Sequence, residues 1–133
     1  AYSQRSTRTL TLMQTGSLYA IAALFVGAGV GHFLWPGIFT RIIPPYFPRP
    51  HLLVYLSGVA EVAGGIGVLF PAVRPYAGWG LILLLFAVFP VHVYMAGQPG
   101  EFPKVPLWAL YLRVPLQFVL MAWVYWAACR PGI

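Results

Sequence analysis

The sequence predicts an all-α protein: a transmembrane four-helix bundle, up-down-up-down, with a short interfacial helix after the first span. Three observations predict it. Of 133 residues, 60% are hydrophobic and only 8% are charged, with a mean hydropathy of +0.79. A soluble domain carries about 25% charged residues, so this chain could not coat a water-facing surface. Four apolar segments approach the roughly 20 residues that cross a bilayer core. Proline- and glycine-rich connections separate them.

At this length the chain is one transmembrane domain, residues 1–133, with spans over about 12–35, 51–70, 75–96 and 106–128. The polar start, which holds Arg5 and Arg8, leads into an apolar run too long for a signal-peptide core. It therefore reads as a retained first span. The connection Pro36–Pro50, PGIFTRIIPPYFPRP, places Ile38, Phe39, Ile42 and Ile43 at helical spacing, the pattern of an amphipathic helix lying in the membrane interface. Pro44 and Pro45 must end it, and Tyr46, Phe47 and Arg49 follow as interfacial anchors. Pro75 and Pro106 open the third and fourth spans, where a missing N–H costs nothing. Pro90 and Pro115 fall inside those spans and are expected to kink them.

The eight Lys and Arg residues form no basic stripe, which excludes a nucleic-acid partner and leaves the lipid bilayer as the partner the charges address. Four spans put both termini and the second connection on one side with Arg5, Arg8, Arg74 and Arg130. The other side holds Arg41, Arg49 and Lys104. Four against three favours cytoplasmic termini. Gly27 with Gly31, Ala60 with Gly64 and Ala63 with Gly67 stand four apart, a spacing that lets helices approach closely within the bundle.

The polar residues inside the spans need an explanation. Glu61 lies about 15 Å along the second span from His51, and Arg113 about 10 Å along the fourth from Pro106, both measured from the same membrane face. A lone charge at that depth costs at least ~2.5 kcal/mol, so the expectation is a Glu61–Arg113 contact. His32, His92 and Gln117 reach the same half of the bundle, with Ser57, Tyr55 and Tyr94 as further candidates. The other half has almost no polar side chain. Three readings stay open. The cluster lines a pocket for a polar headgroup, such as a quinone ring or a lipid. Alternatively, the acid and base are a structural staple. Or His32 or His92 is an axial ligand to haem or a chlorophyll-type pigment.

The runs GHFLWPGIFTRIIPPYFP (Gly31–Pro48), LVYLSGVAEVAGGIGVLFP (Leu53–Pro71) and WGLILLLFAVFPVHVYMA (Trp79–Ala96), followed by LRVPLQ (Leu112–Gln117), resemble the DoxX-like family of small four-helix membrane proteins. The resemblance spans residues 19–126 and implies the same four-span bundle, with His32 and Glu61 at motif positions. It departs at His92, where members tend to carry asparagine. It implies a setting among terminal quinol oxidases and thiosulfate–quinone oxidoreductases, in a bacterial cytoplasmic membrane.

A single cysteine, Cys129, gives the chain no dithiol centre, and no nucleophile–base pair or metal-ligand spacing stands out. The expectation is therefore a chain that is not catalytic by itself. It would be an accessory subunit of a redox or photosynthetic electron-transport complex, packing against other membrane subunits and contacting quinone, lipid or pigment. The alternatives are a quinone-binding component of a membrane oxidoreductase, and a small transporter or channel acting as an oligomer.

Overall fold

The computed structural model describes residues 2–130, with side chains from Thr11 onward. Every regular element among them is helical: α1 (Tyr2–Leu34), α2 (Pro36–Ile42), α3 (Pro50–Gly67), α4 (Arg74–Gly97) and α5 (Leu107–Val124). A single 3-10 turn, Pro99–Glu101, follows α4, and five π-helical residues, Tyr125–Cys129, extend α5. Proline sets most of these boundaries. The residue before a proline is pushed away from helical geometry. Trp35 accordingly breaks between α1 and α2 with φ −131°, and Ile43 leaves α2 with an extended backbone ahead of Pro44. Arg49, ahead of Pro50, has φ 50° and is the only non-glycine residue at positive φ among the described residues. Pro36, Pro50 and Pro75 each occupy a first-turn position of their helix. Pro106, expected inside the first turn of the last span, instead stands one residue ahead of it, as the N-cap of α5.

Three segments are long and apolar enough to cross a membrane: Thr11–Leu34, Arg74–Gly97 and Leu107–Cys129. The α1 helix has 33 residues, about 50 Å at 1.5 Å per residue, so it exceeds a 30 Å hydrocarbon core. Arg5 and Arg8 lie on its first turns, and their side chains are outside the described residues. The segment read as a second span forms α3, but it does not reach the hydropathy of the other three. His51, Ser57, Glu61 and four glycines within its 18 residues dilute the apolar content. Its outward face is nonetheless apolar, with Leu52, Leu56, Val59 and Ile66 exposed.

Neighbouring helices run antiparallel, and glycine sets their spacing. A Cβ at Gly29 would lie 2.7 Å from the Gly58 carbonyl oxygen and 2.7 Å from Val62, while Gly65 faces Ala22 and Val26, so α1 and α3 press backbone to backbone. Gly64 and Gly67 play that part between α3 and α4, against Leu81 and Ala77. Of the small-residue pairs read from spacing, Gly64 and Gly67 lie at a tight contact. Gly27 faces open space, and the α1 contact falls on Gly29 instead. The same packing divides the molecule in two. Leu18, Ile21, Phe25, Val68, Leu81 and Val124 belong to a dry core at one end. Gln14 closes that end by donating to the Ala127 carbonyl at 3.1 Å. The opposite end is hollow.

Candidate functional site

The hollow end contains a cavity of about 430 Å³ into which each long helix sends a polar side chain: His32 from α1, Glu61 from α3, His92 from α4 and Arg113 from α5. The rest of the wall is largely aliphatic, with Ser57 the remaining polar group. Four of the five residues singled out by sequence therefore line one space. The fifth, Gln117, is 4% exposed and lies outside the lining, where its amide nitrogen donates to the Leu85 carbonyl at 2.7 Å.

The expected Glu61–Arg113 contact is not formed. Glu61 Oε2 stands 3.2 Å from His32 Nδ1, with both side chains mostly buried. The cause is the close approach at Gly29 and Gly58. A Cβ at Gly58 would meet Phe33 at 2.9 Å and the His32 Cβ at 3.0 Å, so only glycine lets α1 settle deeply enough to bring His32 beside Glu61. Arg113 is drawn elsewhere and donates from Nη1 to the thioether sulfur of buried Met95 at 3.3 Å. Thioether sulfur is a weak acceptor, so the other guanidinium N–H groups remain available.

The hydrogen bonding around the cavity is incomplete. His32 Nδ1 lies 2.6 Å from the Ala28 carbonyl oxygen, which can only accept, so the proton sits on Nδ1 and is spent there. Glu61 Oε2 is buried and receives no hydrogen bond, and His92 Nδ1 is buried without a partner. Gln117 and Arg113 are the polar neighbours of His92. Buried polar atoms without partners are uncommon, and two belong to residues that line this one cavity.

Sequence reasoning missed the roof. The stripe expected only to lie against lipid turns Phe39, Ile42 and Ile43 of α2 into the cavity, joined by Phe47. Phe39 stacks on the His32 ring at 3.9 Å between centroids and 18° between planes. An amphipathic stripe marks an apolar face but not what that face covers. Pro44, fully buried, fixes the turn after α2. Two candidates lie apart from the cluster. Tyr55 is exposed and stacks on Phe33, and Tyr94 donates to Glu101 at 2.7 Å outside the cavity.

Residues 21–128 match the family model described as a domain of unknown function (DUF8561), and the chain belongs to that family. No curated protein and no solved structure matches it.

Proposed function

We propose that this member of the DUF8561 family is a small integral membrane subunit whose roofed cavity binds the ring of a quinone-class lipid, beside a partner chain that carries the electrons. The observation that carries this reading is the cavity itself. It is apolar over most of its wall, as a prenylated ring requires, and it concentrates His32, Glu61, His92 and Arg113 where ring oxygens would sit. A bound quinone would supply the redox chemistry. The chain's own residues bind it, orient it and exclude water. The single cysteine supplies no dithiol, and the proposed electron source is a partner subunit of a membrane redox complex.

The arrangement proposed for the membrane is an up-down-up-down bundle of α1, α3, α4 and α5, with α2 in the interface. Antiparallel contacts between successive long helices and the exposed apolar face of α3 support it. The balance of Arg5, Arg8, Arg74 and Arg130 against Arg41, Arg49 and Lys104 favours cytoplasmic termini and a cavity opening toward the far side. The resemblance to DoxX-like proteins supports a bacterial cytoplasmic membrane. Purification in mild detergent, followed by solvent extraction and chromatography of bound lipids, tests the reading. Quinone recovered near one per chain is expected. Its absence, together with no thermal shift on adding a short-chain benzoquinone, would contradict it.

A further inference from the structure

We infer that the cavity distinguishes the two redox states of its ligand and holds the hydroquinone more tightly than the quinone. This deepens the quinone reading and rests on it. Glu61 makes no hydrogen bond through either oxygen among the described residues, because the neighbouring His32 Nδ1 proton is committed to the Ala28 carbonyl. An ionised carboxylate can only accept. His92 Nδ1 is the second unpartnered buried atom. Beside the Glu61 acceptor stands one donor, the Arg113 guanidinium, whose only protein acceptor among the described residues is the Met95 thioether.

A quinone oxygen has lone pairs and no proton. It satisfies Arg113 but would lie against Glu61 acceptor to acceptor. A hydroquinone oxygen carries a proton and lone pairs together. It donates to Glu61 while it accepts from Arg113, so both groups are completed at once. The carboxylate reaches the ring by rotation about its terminal torsion, which has a broad, low-barrier profile. A site built to bond a hydroxyl rejects the analogue lacking it strongly, because its own buried groups are then left unpaired.

The test is equilibrium binding of a short-chain benzoquinone and its hydroquinone to the full chain in detergent, anaerobically and at about pH 8, where a carboxyl is ionised. The hydroquinone is expected to bind at least about tenfold more tightly. Glu61→Gln places an amide N–H where only an acceptor stood, and should bring the two affinities together. Equal affinities in the unsubstituted protein, or tighter quinone binding, would overturn the inference while leaving the quinone reading intact. Failure of both ligands to bind would overturn that reading and this inference with it.

Discussion

His32 and Glu61 face each other across the α1–α3 contact, with Nδ1 and Oε2 3.2 Å apart, where Gly29 and Gly58 let those helices approach closely. The pair is a consequence of backbone approach. Gly29 and Gly58 come first, the depth of His32 follows, and the partner of the buried acid is thereby chosen.

The first prediction concerns that approach. Gly29→Ala or Gly58→Ala drives a methyl group into backbone or into His32 and Phe33, and should cost about 1–3 kcal/mol, as overpacking does. Gly27→Ala, two residues away and facing open space, should be neutral or stabilise by up to about 1 kcal/mol through helix propensity. Thermal unfolding in detergent separates them. Equal losses at Gly27 and Gly29 would contradict the packing described.

A second prediction distinguishes the observed pair from the expected one. Double-mutant cycles on thermal stability should give a coupling of about 0.5–3 kcal/mol between His32→Phe and Glu61→Gln, residues in contact. Glu61→Gln and Arg113→Met, which share no direct contact, should add to within about 0.5 kcal/mol. The reverse pattern would restore the Glu61–Arg113 pair.

The roof gives a third prediction. Phe39→Ala removes the ring stacked on His32, a contact worth about 0.5–1.5 kcal/mol, and opens the cavity above it. Ligand dissociation should quicken much more than the folded state weakens. Stopped-flow displacement of a bound short-chain hydroquinone measures the first and thermal unfolding the second. An unchanged dissociation rate would mean that α2 does not cover the bound ring.

Gln117 supplies a fourth. It ties α5 to the Leu85 carbonyl of α4 and neighbours His92. Gln117→Leu should cost about 1 kcal/mol for the lost hydrogen bond. It should also weaken hydroquinone binding, because the His92 ring then loses a polar neighbour. Unchanged hydroquinone affinity in Gln117→Leu would remove Gln117 from any role in orienting His92.

Much of this was legible in the sequence because depth along a helix is simple arithmetic. A rise of 1.5 Å per residue and alternating helix direction sufficed to gather His32, Glu61, His92 and Arg113 at one end. Azimuth was not legible. Which acid faces which base depends on helix rotation, and that is settled by Gly29 against Gly58, a contact that the repeat Gly27–Gly31 did not foretell. Likewise the spacing of Phe39, Ile42 and Ile43 announced an apolar face on α2, while its burial against His32 depends on how Trp35 and Pro44 turn the chain at either end.

The most direct test of the central claim is photolabelling. A short-chain quinone carrying a photoreactive group would be irradiated with the protein in membranes, and the labelled residues mapped by mass spectrometry. The account predicts labels on the roof (residues 39–47) and on the cavity walls contributed by α3 and α4 (residues 53–61 and 84–92), suppressed by excess unlabelled hydroquinone. Labels confined to the outward aromatic face around Trp79 and Tyr125, or labels that excess ligand does not suppress, would contradict it.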